Sequence, residues 1–170
     1  AKLMRTPQRA PKPMIPDSVR LNFSTARVGI MDPSRFSLRI TRSVLFGYGF
    51  RDLFEYSSAA MALARLKMAP VDLVVCDPYP DVSENLQALA ALRDPRYGDT
   101  AFAPIIVTTA SASLELMQAA RQAKVDCVLA KPFSAAALLE RILWAAKRPG
   151  MRDLDQPPPV QAAVETGVIE

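Results

Sequence analysis

Four polar residues stand where apolar runs of the chain stop. Asp32 follows VGIM, Asp77 follows LVVC, Thr109 ends IIVTT and Lys131 follows CVLA. Two carboxylates, a hydroxyl and an ammonium in these positions fit phosphoryl transfer to a carboxylate. Asp77 would attack phosphorus as the nucleophile. Asp32 would help to hold Mg2+, a hard cation that takes oxygen ligands. Lys131 and the Thr109 hydroxyl would bind the phosphoryl oxygens and offset their charge. The alternative is an Asp–Lys ion pair that braces loops.

Such residues act together only if the fold brings them to one place. Strand candidates are Arg27–Met31, Leu53–Tyr56, Leu73–Cys76, Ile105–Thr108 and Cys127–Ala130. Helix candidates are Arg35–Gly47, Ala59–Lys67, Glu84–Leu92, Ser113–Ala123 and Ala135–Lys147. Alternation of the two types with short connections predicts an α/β, doubly wound parallel sheet covered on both faces. Ligands in such a sheet bind beyond the carboxyl ends of the strands, where all four residues fall.

Helix faces follow from the apolar spacing. Phe36, Ile40 and Val44 recur every four residues and predict the packed face of the first helix. Leu138, Leu139, Ile142, Leu143 and Ala146 predict that of the last, with Ser134 as its N-cap. Arg141, Trp144 and Arg148 then share the opposite face. The one tryptophan is thereby expected between two arginines on an exposed partner surface.

Composition narrows the chemistry. Half of the 170 residues are hydrophobic and 22% are charged, which suits one globular domain. No apolar run approaches the roughly 18 residues of a membrane helix, and the N-terminus lacks a signal-peptide core, so a cytoplasmic protein is expected. The absence of histidine excludes Ser-His-Asp or Cys-His catalysis and histidine-ligated metals. Cys76 and Cys127 lie in apolar runs and read as reduced, buried thiols.

Residues 1–25 carry the whole net charge of +4, with five cations set against Asp17. With four prolines they read as a flexible basic arm, and residues 148–170 read as a flexible tail. The arm has no aromatic interleaving, so nucleic acid is not its expected partner.

RVGIMDPSRF, DLVVCD, APIIVTTAS and VLAKPFSAAALLERI closely resemble the CheY-like receiver domains of bacterial response regulators over residues 26–147. The resemblance implies a flavodoxin-like sheet of five strands in the order 2-1-3-4-5. It also implies Asp77 as phospho-acceptor, Thr109 as switch hydroxyl and Lys131 as phosphate-binding lysine. Asp32, Asp77 and the backbone carbonyl of Tyr79 would be the Mg2+ ligands. The Lys131–Pro132 peptide should be cis.

The departures are informative. Pro33 stands where the family has a second acid, which implies weak or absent Mg2+ binding. After Asp77 the chain reads Pro78-Tyr79-Pro80-Asp81, with Glu84-Asn85 in place of an Asp-Gly; Asn85 can still adopt a left-handed turn. Val128 replaces the aromatic switch residue, and Lys124 replaces the glycine that ends the fourth helix.

Two functions follow from the resemblance. One is a stand-alone, non-enzymatic receiver of a phosphorelay. It would be served by a sensor histidine kinase or phosphotransferase and act by contact with a target protein. The other is a phosphorylation-independent pseudo-receiver that binds a nucleotide such as cyclic di-GMP, as some receivers do, through Arg141, Trp144 and Arg148.

Overall fold

The computed structural model describes residues 21–147. Serine caps set the helix starts. The hydroxyls of Ser34, Ser58, Ser113 and Ser134 accept the amides of Ser37, Met61, Leu116 and Ala137 at 3.0–3.2 Å. Each bond satisfies one otherwise orphaned first-turn donor, typically worth about 1 kcal/mol. The elements run β1 (Arg27–Met31), α1 (Arg35–Gly47), β2 (Asp52–Tyr56), α2 (Ala59–Met68), β3 (Leu73–Cys76) and α3 (Val82–Ala91). A 3-10 segment, Pro95–Phe102, precedes β4 (Ile105–Thr109), α4 (Leu114–Gln122), β5 (Cys127–Ala130) and α5 (Ala135–Ala145).

All strands are parallel, in the order β2-β1-β3-β4-β5. Alternation along the strands divides the core into two layers. Val28, Ile30, Leu73, Val75, Ile106 and Leu129 pack against α1 and α5. Met31, Val74, Cys76, Ile105 and Val107 pack against α2, α3 and α4. β3 and β4 are buried along their whole length, whereas edge strand β2 is half open. Cys76 and Cys127 are buried on β3 and β5, the strands that flank β4.

Two helices bury residues outside the faces expected of them. In α1 the buried residues are Leu38, Thr41 and Leu45; Val44 is half-buried, while Phe36 and Ile40 are 74% and 43% exposed. The helix carries two apolar stripes, and the sheet selects the one that contains a threonine. In α5 the expected Leu138, Ile142 and Ala146 are buried and Leu143 packs beside them, but Ala137, Arg141 and Ala145 are buried as well. Ala137 and Ala145 lie one turn before and after Arg141, so the helix seats closely on the sheet with the arginine inside. Trp144 is half-buried against the α1–α5 core layer. The exposed Arg141–Trp144–Arg148 face therefore does not form: Arg141 is turned inward, and Arg148 lies outside the described residues.

Part of the expected N-terminal arm belongs to the domain. Leu21 is buried in the α1–α5 core layer, and Phe23 stacks on Phe50 with ring centroids 4.1 Å apart. Residues 1–20 and 148–170 of the expected arm and tail lie outside the described residues.

Asn85 does not make a left-handed turn, since α3 begins at Val82 and contains it. Among the described residues other than glycine, Lys124 has a positive φ, 58°. Two helices end in the same hydrogen-bonded reversal. After α1, Gly49 donates to Phe46 and Phe50 to Leu45, with Gly49 at φ 105°. After α4, Lys124 donates to Arg121 and Val125 to Ala120. Arg93 holds the second reversal by donating from Nε and Nη2 to the Lys124 carbonyl at 3.2 and 2.8 Å. Glycine occupies that position at no steric cost, and a side chain does not. Lys124→Gly should therefore stabilise the domain by about 0.5–1 kcal/mol, after allowance for the greater freedom of glycine in the unfolded chain. Urea unfolding of both forms measures the difference.

Candidate functional site

Backbone hydrogen bonds place the four polar residues. The Asp32 amide donates to the Tyr56 carbonyl at 3.1 Å, and the Asp77 amide to the Met31 carbonyl at 2.8 Å. The Lys131 amide donates to the Thr109 carbonyl at 2.7 Å. The ladder thus runs one residue beyond β1, β3 and β5, and it fixes each polar residue against the neighbouring strand.

The side chains then meet. Lys131 Nζ donates to Asp32 Oδ2 at 2.8 Å and to Asp77 Oδ2 at 2.7 Å. Both aspartates are buried, at 5% and 7% exposure. Their other oxygens close local turns: Asp32 Oδ1 accepts from the Ser34 amide at 2.8 Å, and Asp77 Oδ1 from the Tyr79 amide at 2.9 Å. Each carboxylate is therefore held at both oxygens.

The electrostatics are asymmetric, with two buried anions against one cation. Burial alone would lower the Lys131 pKa, but the hydrogen bonds and charges of Asp32 and Asp77 outweigh it and hold the ammonium above its ordinary value. Cys76 lies beside the cluster. Burial first, then the charges of Asp77 and Asp32, push its thiol far up, so it cannot serve as a thiolate nucleophile.

Thr109 is 8% exposed, but its hydroxyl is not on the cluster. It donates to the Ser111 carbonyl at 3.2 Å and accepts from the Ser111 amide at 3.1 Å. Tyr79 lies two residues past Asp77 and is 66% exposed, and the Tyr79–Pro80 and Lys131–Pro132 peptides are both cis. Val128 is half-buried in β5 beside Val107 of β4.

Two supporting residues were not legible in the sequence as such. Asn85 is buried, donates from Nδ2 to the Pro78 carbonyl at 2.9 Å and accepts the Ala60 amide at 3.1 Å. It ties the loop after Asp77 to the start of α2. The sequence marks Asn85 only as a residue able to turn after Glu84, and does not show this bracing role. Ser111 carries no comparable signal, because it acts through its backbone.

The donor set suits a hard divalent cation. Asp32 and Asp77 supply buried carboxylate oxygens, each with capacity beyond the one hydrogen bond it accepts. Mg2+ is commonly held by one or two carboxylates with water completing its shell, so the residues present fit the ion. The neighbouring position on the chain is Pro33, which is exposed and offers no side-chain oxygen.

Removal of Lys131 should expose the cost of the arrangement. Lys131→Met leaves two buried carboxylates without their counter-charge and should destabilise the domain by about 3 kcal/mol near neutral pH. Asp77→Asn relieves the repulsion between carboxylates and should cost less than about 1 kcal/mol. Because the folded-state Lys131 pKa is raised, its contribution is fully present below the ordinary value of 10.5 and is lost as pH rises through the folded-state value. The gap between wild type and Lys131→Met should therefore close only in alkaline solution. Urea titrations across pH measure all three effects.

Known proteins share this arrangement of strands and helices. Residues 28–143 match the family model of the response regulator receiver domain. The chain is 29% identical over 116 residues to the chemotaxis protein CheY-3 of Vibrio cholerae serotype O1, covering 68% of this chain and 88% of that one. A CheY-like receiver domain protein from Methanospirillum hungatei JF-1 superposes with a TM-score of 0.59 at 25% identity, covering 69% of this chain and 90% of that one. The receiver domain of a sensor histidine kinase from Pseudomonas aeruginosa PAO1, solved with a magnesium ion in its active-site cleft, is similar in fold. Its TM-score is 0.60 at 21% identity, over 71% of this chain and 96% of that one. The strand order, the sheet-edge cluster and the match over 28–143 agree: this chain belongs to the response regulator receiver domain family.

Proposed function

We propose that this receiver domain, a module of two-component signalling, takes up a phosphoryl group on Asp77 and passes the signal on by protein–protein contact. The observation that carries the reading is the pair of hydrogen bonds that Lys131 Nζ donates to Asp32 and Asp77, at 2.8 and 2.7 Å. A lysine so held lies within reach of any phosphoryl oxygen that arrives on Asp77.

A carboxylate oxygen of Asp77 attacks phosphorus as the bond to the leaving group breaks. The leaving group is an imidazole nitrogen of a phosphohistidine on a kinase or phosphotransferase, which picks up a proton at neutral pH, or the acetate of acetyl phosphate. Lys131 moves from carboxylate oxygen to phosphoryl oxygen and offsets the added charge. The Tyr79 amide keeps Asp77 oriented through Oδ1. Asp32, Asp77 and the Tyr79 carbonyl would hold Mg2+, which supplies charge neutralisation to the phosphoryl oxygens. The Thr109 hydroxyl, bound to Ser111 before the reaction, reaches the phosphoryl group only by giving up that turn.

The outward stripe of α1 supports a donor partner. Phe36 and Ile40 lie exposed on the helix that begins two residues after Pro33, beside the buried carboxylates. A phosphodonor protein must reach Asp77 from that side of the sheet edge, and a stripe of this kind gives it an apolar seat.

Acetyl phosphate with Mg2+ should add one phosphoryl group to the wild-type chain, and Asp77→Asn should abolish the addition. Intact mass spectrometry reads both, and an unmodified wild type, or a modified Asp77→Asn, rejects the assignment. Pro33→Asp restores an oxygen ligand beside Asp32 and should tighten Mg2+ binding about tenfold. Calorimetric titration compares the two forms, and equal affinity would mean that position 33 does not reach the ion.

A further inference from the structure

We infer that the cavity between α4 and α5, above β5, is a binding site for a small organic oxyanion whose head group pairs with Arg141. The inference is independent of chemistry at Asp77. Arg141 is 8% exposed, and its Nε has no hydrogen-bond partner. A guanidinium carries its charge at any pH a protein tolerates, and buried donors are almost always satisfied. An arginine that served only to cover apolar surface would run its stem along that surface and leave its head in water. Arg141 departs from this: its Nε is buried and has no acceptor, while its guanidinium lines the cavity.

The surroundings say what would satisfy it. Arg141 lines a cavity of about 310 Å3 together with Leu114, Met117 and Arg121 of α4 and Val128 of β5. Leu114, Met117 and Arg121 are spaced i, i+3 and i+7, so one face of α4 forms the wall. Leu114 and Met117 are 74% and 45% exposed, an apolar rim on a cavity that holds two cations. Asp126 also lines it, but its Oδ2 accepts from Arg93 Nη2 at 3.0 Å and from the Ile105 amide at 2.7 Å. Arg93 thus balances Asp126, and the charge of Arg141 and Arg121 remains. The volume is at the lower end of small-molecule sites and exceeds what a bare phosphate fills. The ligand is accordingly a phosphate ester or a carboxylate with a compact apolar body, its oxygens on the guanidinium fork and its body against Leu114, Met117 and Val128.

The test uses phenyl phosphate and phenylacetate at matched ionic strength, with inorganic phosphate as the bare head group. At about ten times its Kd, the fitting probe should raise the wild-type Tm by about 3 °C. Arg141→Met, of similar volume and uncharged, should abolish the rise, and Asp77→Asn should leave it unchanged. The preferred aryl probe identifies the head as phosphate or carboxylate. Inorganic phosphate should act more weakly than phenyl phosphate, and an equal effect would refute the apolar subsite. A rise that survives Arg141→Met, or disappears in Asp77→Asn, overturns the proposal by locating the anion elsewhere, as does no rise with either aryl probe. Should Arg141→Met fail to fold, the Nε–Hε resonance of Arg141 in the 15N-labelled wild type decides. It should shift on addition of the probe, and an unmoved resonance under saturating probe is the contrary result.

Discussion

One half-buried lysine joins the two halves of the sheet edge. Lys131 belongs to the β5 side, and its ammonium reaches past β4 to Asp77 and on to Asp32 beyond β1. The three side chains together thus link the ends of β1, β3 and β5 across β4. Neither carboxylate could lie so deep without that cation, and the cation could not lie there without the sheet. The short turns at Asp32–Ser34 and Asp77–Tyr79 complete the arrangement by engaging the second oxygen of each carboxylate. The cluster keeps one negative charge in excess, which suits it to a divalent cation and to charge rearrangement on phosphoryl transfer.

The remainder of the fold keeps that edge in place. Serine caps begin four of the five helices soon after the strands that precede them. The helices therefore cover the sheet without extending its polar edge. At the opposite end, Arg93 gathers the Lys124 carbonyl and the Asp126 carboxylate, with a contact to Ala103, and so fixes the α4–β5 connection from which Lys131 departs four residues after Cys127. Lys124 sits there in a conformation that glycine adopts freely, which marks this turn as a place where the domain carries strain.

α1 and α5 show the limit of periodicity. α1 has apolar residues on two stripes, and α5 is apolar around most of its circumference. For such helices the phase depends on which residues lie small and close to the sheet. In α5 that role falls to Ala137 and Ala145, and Arg141 goes inside between them. In α1 it places Thr41 against the sheet and turns Phe36 and Ile40 out beside the proposed docking side. Both departures thus fall on surfaces with a functional reading.

The sequence by itself determined the strands and their order of succession, since β1, β3 and β5 coincide with the apolar runs that expose them. It also determined that Asp32, Asp77, Thr109 and Lys131 stand at strand ends, because a parallel sheet covered on both faces must put the residue after each apolar run at one edge. Tertiary structure alone decided what these residues touch. Lys131 bridges two carboxylates 99 and 54 residues away, while the Thr109 hydroxyl turns to a neighbour two residues on. It also decided that Asn85 braces a loop instead of turning one, and that Arg141 lies inside. Periodicity records which residues can share a face, but which face is buried depends on close approach between elements distant in sequence, and that is settled only when the helices dock on the sheet.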